Sequence, residues 1–184
     1  MTITHNPIYN PIPDTVFYMR ERDESIGGDN PFKWVLKTSK DIFLDKRTVI
    51  FSLPGAFTPT CSTFQVPGYE KAYDEILSLG VDEVYVVSVN DAFVMRQWMI
   101  HQGVEKIKAL PDGNGQFTFN MGMLVNKSNL GFGNRSWRYS AVIDQTMRVE
   151  RMFAEPGKMD QCPGDPYGES SPEMMLEYLR GVAS

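Results

Sequence analysis

Two short runs of β-branched residues constrain this chain most. Thr48–Leu53 reads T-V-I-F-S-L and Val84–Val89 reads V-Y-V-V-S-V. Both are strand-sized and mostly apolar without strict alternation, the pattern of strands buried on both faces. The first is closed by Pro54-Gly55, a turn signal. Pro59 to about Leu79 then has the length of a helix, with Gly80 placed to end it. Pro67-Gly68 is predicted to kink that helix, because proline removes an internal hydrogen bond. After the second run, Asn90 or Asp91 caps a helix reaching about His101, with Phe93, Val94, Trp98 and Met99 near one face.

The flanking segments complete the pattern. Thr15–Met19 and Phe32–Thr38 read as strands around a charged loop ending in Gly27-Gly28. Ile107–Leu110 is a short strand, Pro111-Asp-Gly-Asn-Gly115 a turn and Gln116–Gly122 a short helix. Arg138–Ile143 and Arg148–Ala154 form a hairpin around Asp144–Met147. Glu155–Ser170 is a Pro- and Gly-rich loop, and Ser171-Pro172 opens a last helix. The order predicts an α/β fold with a central mixed sheet flanked by helices, the order of thioredoxin-like folds. No linker or repeat interrupts residues 1–184, so one domain is expected, with residues 1–13 an irregular arm containing Pro7, Pro11 and Pro13.

Composition narrows the function. A chain of 184 residues is long enough to bury a core without disulfides. A net charge of −5 argues against nucleic acid or an anionic membrane as partner, and no apolar run nears the ~20 residues of a membrane span. The N-terminus lacks a basic segment followed by an apolar stretch, so the expectation is a cytoplasmic protein. With only two cysteines and two histidines, neither a disulfide framework, a zinc site nor a Ser-His-Asp triad is expected.

The chemistry therefore turns on cysteine. In Pro54-Gly-Ala-Phe-Thr-Pro-Thr-Cys61, Thr58 is a preferred N-cap type and Pro59 a preferred first helical residue. Cys61 is then the third helical residue, whose amide the cap oxygen bonds and whose side chain meets the cap. Helix N-termini favour anions and hold cysteines with pKa values of ~3.5–7.5 instead of ~8.5. A reactive thiolate is expected at Cys61, with Pro54-Gly55 leaving room for a small substrate; the alternative is a small, inert, buried hydrophobe. Asn134-Arg135-Ser-Trp-Arg138-Tyr-Ser140 supplies two arginines at a strand entry. Either holds an anionic sulfur with its forked donors, or both are solvated surface cations. His101, Trp34, Trp98, Trp137, Met95 and Met121–Met123 are assigned to capping, packing or interfaces.

The Pro54–Cys61 stretch resembles the active-site motif of type II (Prx5-like, atypical) peroxiredoxins. The likeness continues in order through Val87-Ser-Val-Asn-Asp-Ala-Phe-Val94, Pro111-Asp-Gly-Asn-Gly-Gln-Phe-Thr118 and Gly131-Phe-Gly-Asn-Arg-Ser-Trp-Arg-Tyr-Ser140, covering roughly residues 30–180. It is similar above all to bacterial peroxiredoxins fused to glutaredoxin, although no Cys-Pro-x-Cys module follows here. The resemblance implies a thiol peroxidase acting on hydrogen peroxide and organic hydroperoxides without metal or haem. Cys61 would be the peroxidatic cysteine, oxidised to sulfenic acid. Thr58 would hydrogen-bond sulfur and peroxide, Pro54 would shield the site, and the Gly55 and Cys61 amides would bind peroxide. Arg138 would be the catalytic arginine and Arg135 a second one. Recycling would fall to glutathione, with or without glutaredoxin, or to thioredoxin. Family members often form homodimers near the active site, where Phe57 and Pro59 would face the partner.

The plant-type second cysteine is absent, its position being Val86. Cys162, in Cys162-Pro-Gly-Asp-Pro-Tyr-Gly, stands near the place of a late-loop resolving cysteine. It is a resolving cysteine, an incidental thiol, or a mixed-disulfide or intersubunit partner. A reading from another class is a redox-responsive binding protein, a peroxide sensor or holdase using Cys61.

Overall fold

The β-branched runs pair with one another at the centre of the molecule. In this computed structural model, which describes residues 11–183, the five-stranded sheet has the order β5 (Lys108–Pro111), β4 (Glu83–Ser88), β3 (Thr48–Ser52), β8 (Tyr139–Ile143), β9 (Val149–Ala154). Upstream, β1 (Val16–Arg22) and β2 (Phe32–Thr38) form an antiparallel ribbon, followed by the one-turn helix α1 (Ser39–Phe43). The strand β3 (Thr48–Ser52) runs parallel to β4 (Glu83–Ser88), and β4 parallel to β5 (Lys108–Pro111). Parallel neighbours require crossover helices: α2 (Val66–Ser78) links β3 to β4, and α3 (Ala92–His101) links β4 to β5. Next come α4 (Gln116–Asn120) and a short ribbon of β6 (Leu124–Asn126) and β7 (Asn134–Ser136). Then β8 (Tyr139–Ile143) and β9 (Val149–Ala154) return antiparallel, and α5 (Pro172–Ala183) closes the described chain. No helix among the described residues is long and apolar enough to cross a membrane.

The sheet separates two apolar layers. Val49, Phe51, Val84 and Val86 face α2, α3 and α5, packing with Tyr69, Ile76, Trp98, Met175 and Leu179. Ile50, Tyr85, Val87 and Tyr139 face the other way, against Phe43 of α1, Phe117 of α4 and Phe17 of the first ribbon. Alternation along the strands produces the two sets, since successive side chains point to opposite faces. The expected arm lies mostly outside the described residues; of it, Pro11 bridges to Arg148 and Ile12 joins the second layer.

Several expectations shift in detail. The break expected at Pro67-Gly68 occurs earlier, as a π turn over Cys61–Gln65 in which the Val66 amide reaches back to the Cys61 carbonyl. Pro67 follows as the second residue of α2, where its missing N–H matters little. On α3 the buried residues are Ala92, Met95 and Trp98, whereas Phe93 is exposed against Trp34 of β2 with ring centroids 5.5 Å apart. The Pro111–Gly115 turn acts structurally: Asp112 accepts the Phe117 and Thr118 amides at 3.1 and 2.8 Å and so starts α4.

Two carboxylates hold chain reversals at opposite ends of the sheet, Asp144 far from the start of β8 and Glu155 beside it. Asp144 accepts from the Thr146 amide at 2.8 Å, its hydroxyl at 2.7 Å and the Arg148 amide at 3.0 Å, closing the β8–β9 turn. Burial pushes its carboxyl up, but these hydrogen bonds outweigh it and hold the pKa below the ordinary 3.8. The stabilisation is thus present above that value and lost as pH falls through the lower folded value. Asp144→Ala should cost about 1–2 kcal/mol at neutral pH in urea melts, with the deficit shrinking in acid. Glu155 is buried and accepts from the Gly168 amide, the Ser170 amide and the Ser170 hydroxyl at 2.8, 2.9 and 2.7 Å. Glu155→Ala strands these donors and should cost about 3 kcal/mol in the same measurement.

Candidate active site

The sheet register assembles the site. Ser52, the last residue of β3, pairs with Val87 on one side and with Tyr139, the first residue of β8, on the other. The end of β3, the end of β4 and the start of β8 therefore meet at one sheet edge, where open α/β folds place their ligands. Leu53–Phe57 leave β3 toward the helix. Asn90 pins that segment: its Oδ1 accepts the Ala56 amide at 2.9 Å and the Ser88 hydroxyl at 2.6 Å, while Asp91 caps α3. Phe57 turns the chain in a left-handed conformation, φ +64°. A bulky residue there is strained, by roughly 1–3 kcal/mol, and the next residue begins the helical turn.

Thr58 and Cys61 meet side chain to side chain, as the sequence predicts. The expected cap bond joins the Thr58 oxygen to the Cys61 amide. In the structure the Thr58 carbonyl takes the Ser62 amide at 3.1 Å. The hydroxyl lies 2.8 Å from Cys61 Sγ and 2.7 Å from the Gly55 carbonyl oxygen. A hydroxyl has one proton to give. With a protonated sulfur, S–H donates to Oγ1 and O–H to the Gly55 carbonyl; with a thiolate, O–H turns to the sulfur. One arrangement accommodates both states.

Arg138 faces the sulfur from the other side. Only 1% exposed, it directs Nη1 at Cys61 Sγ (3.4 Å) and at Gln65 Oε1 (2.5 Å), and Nη2 at Asp165 Oδ1 (2.6 Å). Burial drives its pKa down, but the Cys61 sulfur and the Asp165 carboxylate outweigh it and the net direction is up. The site thus keeps a fixed cation. Arg135 stands farther out, its Nε donating to the Phe132 carbonyl at 3.0 Å and Nη1 to the Pro54 carbonyl at 3.5 Å. Burial lowers its pKa, offset in part by Cys61. A Cβ on Gly55 would lie 2.6 Å from Arg135 Nη1, so the glycine admits that guanidinium. Pro54, Gly55, Thr58, Cys61, Arg135 and Arg138 are thereby gathered at one place. The solvated-arginine alternative fails for Arg138.

Cys162 stands apart. Cys61 is fully buried in the layer beneath α2 and α5. Cys162 is half-buried against the opposite layer, that of Trp137 and Tyr139. Its carbonyl takes the Asn129 side-chain amide at 3.3 Å, and the neighbouring Gln161 amide bonds the Asn126 carbonyl at 2.8 Å. The two thiols belong to different apolar layers.

Three contributors escaped sequence reasoning. Gln65 lies one turn beyond Cys61, and a polar residue four positions along a helix was the available signal. Asp165 and Tyr167 come from the late loop, Tyr167 with its ring 5.7 Å from the Arg138 guanidinium and 6.4 Å from Phe64. No local pattern announces their return. A cleft of about 550 Å³ beside the β1–β2 ribbon is lined by residues other than Cys61, Thr58 and Arg138. A site for a substrate of a few atoms needs no such volume.

The comparisons with known proteins agree with this geometry. Residues 35–163 match the Redoxin family model. A peroxiredoxin of Sinorhizobium fredii is 54% identical over 95% of this chain and 92% of its own length. The hybrid peroxiredoxin hyPrx5 of Haemophilus influenzae is 46% identical over 91% of this chain, which spans 64% of that longer protein. Among solved structures, the Plasmodium falciparum antioxidant protein, a 1-Cys peroxiredoxin, superposes with a TM-score of 0.87 at 34% identity, over 94% of this chain and 99% of that one. The chain belongs to the peroxiredoxin family, in its type II, Prx5-like branch, and is a thiol peroxidase.

Proposed function

We propose that Cys61 is the peroxidatic nucleophile and that the enzyme reduces hydrogen peroxide and organic hydroperoxides, recycled by glutathione with or without glutaredoxin. The observation that carries this reading is the sulfur held between Thr58 Oγ1 at 2.8 Å and Arg138 Nη1 at 3.4 Å. The thiolate attacks one peroxide oxygen. An S–O bond forms, the O–O bond breaks, and its electron pair leaves on the second oxygen, which takes a proton and departs as water or alcohol. Thr58 and Arg138 donate to the reacting oxygens as charge moves onto them. Pro54 shields the sulfur, and the Gly55 and Cys61 amides with Arg135 line the peroxide's place. No metal or haem takes part.

Cys61 is left as a sulfenic acid. A first external thiol displaces water from it to give a mixed disulfide, and a second releases the thiolate and an oxidised dimer of the reductant. Cys162 packs in a different apolar layer from Cys61, which supports a one-cysteine cycle over an internal disulfide. The 1-Cys character of the Plasmodium relative points the same way, and the extra length of the hybrid relative is consistent with a fused reductant domain. Phe57, 52% exposed beside His101, fits a homodimer contact at the site mouth.

One equivalent of hydrogen peroxide with a sulfenic-acid trap tests the cycle by intact mass. Trap addition at Cys61 is expected; loss of two hydrogens mapped to Cys61–Cys162 would replace the one-cysteine cycle, and an unchanged mass would refute the nucleophile. Cys61→Ser should abolish turnover, and Arg138→Ala should slow Cys61 oxidation by roughly 10²–10³-fold. Thr58→Val should slow it less, since the cation remains. Cys162→Ser should keep glutathione-driven turnover near wild type. Oxidation in a single stoichiometric round, with no thiol able to restore Cys61, would favour the sensor or holdase instead.

A further inference from the structure

We infer that Asp165 is a positioning residue for the peroxidase reaction, holding the Arg138 guanidinium in the orientation that presents Nη1 to Cys61. The inference rests on the proposed role of Cys61 and adds a residue from a loop that shares no local pattern with the motif.

The guanidinium is a rigid plane with five N–H donors, and its contacts are divided by side. Nη1 is shared between two acceptors on the Cys61 helix, the sulfur at 3.4 Å and Gln65 Oε1 at 2.5 Å. Nη2 has one side-chain partner, Asp165 Oδ1 at 2.6 Å. Nε is buried and has no hydrogen-bond partner. Two anchors therefore fix the plane, and without Asp165 it can pivot about the short bond to Gln65. The contact that suffers is the longer one, to the sulfur. Positioning matters steeply here, because misplacements of the order of 1 Å can cost about 10²-fold in rate.

The loop is built to deliver this carboxylate. Glu155 fastens Gly168 and Ser170, and Tyr167 packs its ring on the Arg138 guanidinium and against Phe64. Asp165 is thus held from the far end of its loop while its own side chain stays 39% exposed. A half-solvated carboxylate compensates a buried cation without itself bearing a full desolvation cost.

The test is a double-mutant cycle read by the second-order rate of Cys61 oxidation under single turnover. Asp165→Ala should slow oxidation by about tenfold, and Asp165→Asn, which keeps an acceptor oxygen at the same reach, should return to within about threefold of wild type. In an Arg138→Ala background, Asp165→Ala should have no further effect, because the two act through one contact. The proposal is overturned by an Asp165→Ala rate equal to wild type, by an equal loss in the Arg138→Ala background, or by Asp165→Asn as slow as Asp165→Ala. Thermal melts confirm that each variant is folded; if Asp165→Ala is not, Asp165→Ser replaces it, too short to reach Nη2. Wild-type Cys61 that fails to react with peroxide would sink the underlying reading as well, an outcome distinct from a variant matching a reactive wild type.

Discussion

A guanidinium sealed from water must be surrounded by acceptors, and much of this molecule is arranged around that demand. Removing one partner of a buried charge typically costs ~3–5 kcal/mol, because the other is left uncompensated. Arg138 precedes β8 directly, and the pairing of Tyr139 with Ser52 sets it beside the exit from β3. Gln65 comes from the helix that follows that exit, Asp165 from the loop beyond β9, and the Cys61 sulfur completes the ring. A sulfur in this company has a cation fixed in contact with it before any substrate arrives, which is the preorganisation that electrostatic catalysis requires.

Most of the framework was legible because it is local. β3 and β4 announce themselves as β-branched runs, β8 and β9 as a hairpin around the Asp144–Met147 turn, and Asp91 and Ser171 as caps. What escaped is short or long-range. α1 is a five-residue helix whose Thr38–Asp41 capping box is a two-residue signal in a polar stretch. β6 and β7 are three residues each. Phe93 looks like a core residue in its own helix, and only the arrival of Trp34 from the first ribbon explains its exposed position.

The site divides along the same line. Cys61, Thr58, Pro54 and Gly55 share one turn and were readable together; Arg138 was readable as a charge at a strand entry. The Thr58–sulfur contact was readable too; the cap bond expected beside it was not settled by the sequence, because it depends on how the chain leaves Phe57. Asp165 was not readable, because 27 residues and two strands separate it from Arg138. The Cys162 loop shows the limit of proximity arguments from sequence: Cys162 packs in one apolar layer, while Asp165 and Tyr167, a few residues on, reach Arg138.

The π turn at Cys61–Gln65 has a consequence for the length of this segment. A wide turn holds one residue more than a regular one. Deleting a residue there would restore an unbroken α-helix, which in isolation is the better hydrogen-bonded object. α2 is clamped downstream, with Tyr69 stacked on Phe51 at 4.0 Å and Ile76 in the core. Because a wide turn closes one circuit of the axis as a regular turn does, only with a residue more, the deletion would leave the stretches on either side facing as they do now. What it would remove is spacing: Cys61 and Gln65, at the two ends of the wide turn, both reach Nη1 of Arg138. The extra residue is slack taken up locally, and it lets one turn present two acceptors to one cation without disturbing the core below.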